Sequence, residues 1–396
     1  MSSSSLFCNK KILILSPQPW NDLLISKHHY ALELAKQNDV WFICSPEKEL
    51  GWGTTKEVIK EEPRLKVLHY KLPVTEKIRF HFKGLYNFIN SFVVNRLLNR
   101  EAASFDICID FGAYAYYDSQ NFVKATTRIF FPVDNFADLH FSPRGAQHLF
   151  TVSSVIQDRI REQGIQCHFI NHGLSESFAK FAEDQLRNFK KWQPGERLKV
   201  GYSGNLFSTF LNIEVFKKTI AENEAIDFHI FGKLSYDRSN KVYDDWMKFL
   251  DSSSNVKLHG FLKTGELAAE IQKMDALMLC YQPDNKNYFG ENTHKMLEYL
   301  STGKAIISSN ISLYAKSGLV EMTDEGKDGD LPVLFRRSVN NLENLNREEL
   351  AKKRILMALD NTYARQIDRI AAIVEGKEAS RVDYKLQREI NSAEKY

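Results

Sequence analysis

Short apolar runs alternate with longer amphipathic stretches along most of this chain, the pattern expected of parallel sheets built from strand-helix-strand units. Lys11 to Ser16 reads as the first strand, Ser26 to Lys36 as a helix and Val40 to Cys44 as a second strand. Leu65 to Tyr70, Ile107 to Asp110, Arg128 to Phe131, Leu149 to Val152 and His168 to Ile170 continue the series. A polar stretch from Phe189 to Arg197, carrying Pro194-Gly195, interrupts it and is the expected domain boundary. A second series follows. Strands are expected at Lys199 to Tyr202, Asp227 to Phe231, Val256 to His259, Ala276 to Leu279, Ala305 to Ser308 and Val333 to Phe335. Helices are expected near Ile213 to Ala221, Tyr243 to Leu250 and Gly265 to Met274, and again over Asn361 to Glu375.

The fold class that follows is α/β, with two Rossmann-like domains facing across a cleft. Domain limits are set at 1–190, 196–360 and a final 361–396 segment of helix and charged tail. A chain of 396 residues is long enough to divide into two cores, and its 43% hydrophobic and 26% charged content is ordinary for a globular protein.

Net charge is only +3, and no helix-turn-helix, zinc-finger or RNP spacing is present, so no nucleic-acid partner is expected. The five cysteines are scattered without a CxxC pair or Cys/His cluster, which supports neither a disulfide framework nor a metal site and fits a reducing cytoplasm. The N-terminus lacks signal-peptide features, and no apolar run has bilayer-spanning length. Between Lys77 and Arg100, however, Lys77, Arg79, Lys83, Arg96 and Arg100 interleave with apolar residues and no acid occurs. This basic amphipathic helix either packs on its own domain or rests on an anionic membrane, making the protein cytoplasmic or peripheral at the inner face of the plasma membrane.

Candidate chemistry lies where strands of the second series end, the side on which open α/β sheets bind ligands. Gly204 and Asn205 follow one strand, in a sequence that lacks the full dinucleotide fingerprint. Lys233 follows another, after Gly232, placed either to meet a phosphate or to stand as a solvated loop lysine. The third end leads to Glu291, Asn292, Thr293 and His294, then to a helix carrying Lys295 and Glu298 three residues apart. Such a helix opening offers backbone N–H groups to an anion, and a carboxylate one turn in can accept both hydroxyls of a ribose; the alternative is a surface Lys-Glu pair.

The run from Asn255 to Phe261, through Glu266-Leu267 and Met274-Asp275-Ala276, to Lys295-Met296-Leu297-Glu298-Tyr299-Leu300-Ser301-Thr302-Gly303-Lys304 resembles the donor-binding half of GT-B glycosyltransferases of the GT4 type. Asn171-His172-Gly173-Leu174 resembles their "PNG-(V/I)" segment and Val152-Ser153-Ser154 the preceding "VS" strand end. The resemblance implies a retaining, metal-independent hexosyl transfer in polysaccharide biosynthesis. Its donor would be a nucleotide sugar and its acceptor a saccharide or lipid-linked saccharide, with no further cofactor. It also implies that Glu298 binds ribose, that Lys233, the amides of Asn292 to His294 and Lys295 neutralise the diphosphate, and that the last helix crosses back to the first domain.

The sequence departs from that pattern at Gly290, eight residues before Glu298, where the family carries a glutamate; Glu291 is one place off. Asn205 and Phe210 occupy the stretch of the family's Arg-x4-Lys. In the first domain Phe130 to Asp138 resembles the "D-x-x-D-D" variant of teichuronic-acid and exopolysaccharide glycosyltransferases, and Asp134 is placed to orient donor sugar or acceptor hydroxyl, or to cap a turn. Trp20 and Asn21, after the first strand, are candidates for the acceptor, with Trp20 able to stack on a sugar ring. A sugar-nucleotide 2-epimerase of the same fold and an inactive GT-B-like scaffold are the alternatives.

Overall fold

The computed structural model describes residues 5–21, 23–47, 54–58, 62–75, 77–112, 120–132, 145–282 and 292–377. The chain divides into two compact units, one formed by residues up to Asn171 together with the segment from Tyr363, the other by His172–Thr362.

The first unit holds strands β1 (Lys11–Leu15), β2 (Asp39–Ile43), β3 (Thr54–Val58), β4 (Leu65–Tyr70), β5 (Phe105–Asp110), β6 (Ala125–Phe130), β7 (His148–Thr151) and β8 (His168–Phe169). Its helices are α1 (Ser26–Ala35), α2 (Ile78–His81), α3 (Lys83–Glu101) and α4 (Ser154–Glu162). The sheet order is β3-β4-β2-β1-β5-β6-β7-β8, parallel except for the edge strand β3. Strand β1 explains why it is covered on both faces, because alternate residues of a strand point to opposite sides. Ile12 and Ile14 join a core with Tyr30, Ala31 and Leu34 of α1. Leu13 and Leu15 join a second core with Tyr86, Val94 and Leu98 of α3. Each such buried side chain contributes about 1.5–3 kcal/mol, so β1 is fixed from both sides.

The second unit holds α5 (Glu176–Arg187), β9 (Lys199–Ser203), α6 (Ile213–Ala221), β10 (Asp227–Phe231), α7 (Lys241–Ser252), β11 (Val256–Gly260) and α8 (Thr264–Ile271). It continues with β12 (Ala276–Leu279), α9 (His294–Leu300), β13 (Ala305–Ser308), β14 (Glu321–Met322), α10 (Leu331–Val339), α11 (Leu342–Leu345) and α12 (Glu348–Asp360). Its sheet is parallel throughout, in the order β11-β10-β9-β12-β13-β14. Caps set several helix starts: Asn212 Oδ1 accepts the Val215 N–H at 3.3 Å, and Asn240 Oδ1 accepts the Val242 N–H at 3.1 Å.

The last helix, α13 (Tyr363–Val374), packs Tyr363, Ile370 and Ala371 into the core of the first unit. It thereby returns the chain to the first of the two α/β units. At the other crossing, the division between Asn171 and His172 falls ahead of the Pro194-Gly195 stretch. The reason is α5, whose Phe178 and Ala179 pack with Ala268, Ile271 and Ala358 of the second unit. The strand expected at Val333 to Phe335 is instead part of α10. Pro332 stands in its first turn, and Leu331, Leu334, Phe335, Ser338 and Val339 are buried at helical spacing, a period that a three-residue apolar window conceals.

Candidate functional site

In the second unit, β9 has β10 on one side and β12 on the other, so the strand order reverses between β9 and β12. At such a switch point the connections leave in opposite directions and open a crevice at the carboxyl ends of the strands. Three ends meet there: Ser203-Gly204 after β9, Gly232-Lys233 after β10 and Cys280-Tyr281 after β12.

Gly204 is required by its surroundings. Its φ of +151° suits glycine alone, and a Cβ built on it would lie 2.0 Å from Lys295 Nζ and 3.1 Å from the Tyr202 hydroxyl. Gly232 is required by backbone, since a Cβ there would come within 2.1 Å of the Gly204 carbonyl oxygen. Two adjacent strand ends therefore approach as bare backbone, with the Lys295 ammonium directly above. Asn205, exposed, accepts the Phe207 N–H at 3.0 Å and forms the turn that carries the chain away.

Lys295 is held by aromatic hydroxyl and ring faces. Its Nζ donates to the Tyr281 hydroxyl at 3.1 Å and lies 5.7 Å from the Tyr202 ring centroid and 5.6 Å from that of Tyr281. Among the described residues it enters no ion pair, so the surface Lys295-Glu298 pair does not form. Tyr299, one turn of helix onward, accepts the backbone N–H of Ser203 at 2.7 Å and so ties α9 to the end of β9. The Tyr202 hydroxyl is buried beside Gly204 and has no hydrogen-bond partner among the described residues. Burial holds the Tyr202 phenol well above the usual range, so it is a neutral donor at any working pH.

Glu298 is half-buried, and desolvation of its carboxyl raises it to about 7, with the nearby Lys295 charge pulling the other way. A carboxyl balanced near neutrality accepts hydroxyl protons when ionised and responds to any ligand that favours the ionised form. Helix α9 starts at His294, with Thr293 as its N-cap and Asn292 before it, and it is only seven residues long. His294 is exposed, and the His172 ring lies 6.1 Å from it, edge-on. His172, in the Asn171-His172-Gly173-Leu174 segment, is buried, which lowers it to about 4 and keeps it neutral. Lys233 is exposed at the neighbouring strand end.

The structure thus gathers Gly204, Asn205, Lys233, Lys295 and Glu298 about one switch point. Tyr202, Tyr281 and Tyr299 join them there without any sequence motif to announce them. Their signal was positional: each stands at a strand end or one helical turn from Lys295. Asp134 and Glu291 lie outside the described residues. Trp20 and Asn21 belong to the first unit. The Trp20 ring packs edge-on against His28 and Phe42, each at 5.0 Å between centroids, and Asn21 Oδ1 accepts the Leu23 N–H at 3.0 Å. His28 pins that loop: its Nδ1 accepts the Ile25 N–H at 3.0 Å and its Nε2 meets the Pro19 carbonyl at 3.1 Å. Among the described residues, Cys44, Glu47 and His69 place three potential metal-ligand atoms within 4.8 Å of one another, in the first unit. There His69 Nδ1 already pairs with Glu47 Oε1 at 2.5 Å.

No protein-family model and no curated protein matches this sequence. Solved structures do match in fold. A glycosyltransferase from Rickettsia africae ESF-5 superimposes with a TM-score of 0.62 at 13% identity, over 94% of this chain and 99% of that one. Sucrose-phosphate synthase of Thermosynechococcus elongatus gives 0.65 at 12% identity, over 93% and 100%. Anabaena HepE, solved in complex with UDP and glucose, gives 0.59 at 13% identity, over 93% and 100%. At such identities the likeness is one of fold: this chain is similar to GT-B proteins along nearly its whole length.

Proposed function

We propose that this protein is a glycosyltransferase of the GT4 type, moving a hexose from a nucleotide-sugar donor to a saccharide or lipid-linked saccharide in polysaccharide biosynthesis. The observation that carries the reading is that the Lys295 ammonium and the Tyr202 hydroxyl, unpartnered among the described residues, both stand beside the glycine backbone of Gly204. A cation and a neutral donor converge where backbone alone can approach, which suits a diphosphate. In this reading Glu298 accepts the ribose hydroxyls, Lys233 adds positive charge, and the amides of Asn292 to His294 assist. A fold shared with proteins solved bound to UDP or to UDP-2-fluoro glucose supports a nucleotide sugar as the donor.

The transfer proposed proceeds with retention. The bond from the anomeric carbon to the diphosphate breaks, a bond to the acceptor oxygen forms on the same face, and a phosphate oxygen of the leaving group takes the acceptor proton. Fixed positive charge on the departing diphosphate then supplies most of the rate, with neither a metal nor a protein base in the step. Asp134, Trp20 and Asn21 are assigned to the sugar and the acceptor, and Glu291 to the donor sugar.

Incubation with radiolabelled UDP-, GDP- and dTDP-sugars tests the reading. Slow hydrolysis of one donor is expected without an acceptor, and faster nucleotide release with the label transferred to the acceptor when a saccharide or lipid-linked saccharide is added. Reversible release of nucleotide with a glycal would identify an epimerase instead, and no binding of any donor would remove both enzymes.

A further inference from the structure

Among the described residues of the first unit, the basic amphipathic segment leaves five large apolar side chains in solvent. Helix α3 packs one side on the sheet through Tyr86, Asn90, Val94 and Leu98, all buried. Its opposite side carries Leu85, Phe88 and Phe92, spaced three and four residues apart, at 55%, 70% and 60% exposure. Just before it, Phe80 and Phe82 are 74% and 67% exposed. A helix that satisfies its core with one face has no packing reason for a row of phenylalanines on the other, and contiguous apolar surface of this kind marks a docking site.

Charge identifies the partner. Lys77, Lys83, Arg96 and Arg100 are exposed around the apolar row and enter no ion pair among the described residues. Arg79 lies 5.0 Å from the Phe80 ring centroid. No acidic residue falls between 77 and 100. Phenylalanine at the centre and cations at the rim match a bilayer surface, where rings enter the acyl boundary and cations meet anionic headgroups. Among the described residues no helix is long and apolar enough to cross a membrane, so the contact is one of lying on the surface.

We propose that the outer face of α2 and α3 is a docking surface by which this protein rests on an anionic lipid membrane. Phe80, Phe82, Leu85, Phe88 and Phe92 insert, and the flanking lysines and arginines hold the helix to the headgroups. This is independent of the transferase reading, because docking needs no donor.

Flotation of the full chain with phosphatidylcholine vesicles, with and without phosphatidylglycerol, is the test. Wild type is expected to float with the anionic vesicles in low salt and to be largely released in high salt. The Phe88→Ser/Phe92→Ser variant should lose about tenfold or more in partitioning while its circular dichroism and Tm stay unchanged. The Lys83→Glu/Arg96→Glu variant should lose the preference for anionic vesicles. Wild type failing to float with phosphatidylglycerol in low salt would overturn the proposal, as would an apolar double variant that floats as well as wild type. Sedimentation velocity showing a lipid-free dimer abolished by the same apolar substitutions would assign the face to a second copy instead.

Discussion

The phenol oxygen of Tyr299 and the backbone N–H of Ser203 meet at 2.7 Å, joining the second-to-last residue of the short helix α9 to the last residue of β9, 96 positions earlier. This bond sets the height of α9 above β9 and hence the position of Lys295 over Gly204. Replacing Tyr299 by Phe keeps the ring and leaves a buried N–H without its acceptor, a loss of about 1–3 kcal/mol. Thermal unfolding of Tyr299→Phe should show a Tm several degrees lower, with weaker donor binding. An unchanged Tm would mean that packing alone positions α9.

Gly204 and Gly232 separate two kinds of crowding. A methyl at Gly204 meets the far end of a flexible lysine in a backbone conformation unsuited to side chains, whereas one at Gly232 meets the Gly204 carbonyl. Gly204→Ala should therefore cost about 1–3 kcal/mol, and donor affinity as well, because Lys295 must swing away. Gly232→Ala should be the more destabilising, since backbone has to move. Denaturant melts of both variants, with donor titrations of the first, check the order.

Much of this was legible in the chain. The alternation of short strands and helices, the two Rossmann-like units and the grouping of Gly204 with Lys295 follow from local pattern plus the rule that ligands sit at strand ends, whereas the return of the last helix was expected only from the resemblance to GT-B glycosyltransferases. What the sequence did not reveal depends on tertiary partners. Helix α5 belongs to the second unit because its Phe178 meets Ile271, which no composition change announces. Strand β3 is an antiparallel edge whose sequence, Thr-Thr-Lys-Glu-Val, lacks an apolar alternation. Tyr202, Tyr281 and Tyr299 look like ordinary core aromatics until their hydroxyls are placed.

With Glu298 on the ribose as proposed, its raised carboxyl would give donor binding a pH dependence with a definite sign. Free, it titrates at about 7; a ribose diol donating to it favours the ionised form, so binding releases a proton below that pH. Affinity should be flat above about pH 7.5 and weaken as pH falls through 7, by up to about tenfold per unit. Glu298→Gln should flatten the profile. A wild-type profile without this slope would remove the ribose assignment.

Arg354 is 1% exposed and makes no carboxylate pair among the described residues; it donates instead to the carbonyls of Leu319 at 2.8 Å, Gly303 at 3.2 Å and Leu345 at 2.7 Å. Burial lowers it to about 10, still charged at neutral pH. It gathers the chain just after α9, the end of α11 and the approach to β14. Arg354→Met fills similar volume and leaves three buried carbonyls unpaired, so a loss of about 3–5 kcal/mol is expected in urea unfolding. A loss below about 1 kcal/mol would show that water replaces the guanidinium.

The central claim is that the switch point of the second unit, with Lys295 above Gly204, receives the diphosphate of a nucleotide sugar. Calorimetric titration of wild type and Lys295→Ala with UDP-, GDP- and dTDP-sugars tests it most directly. Wild type should bind one of these donors at a single site, and Lys295→Ala should weaken that binding about tenfold or more with little change in Tm. Equal affinity of the two proteins for every donor that binds, or no binding by wild type, would contradict it.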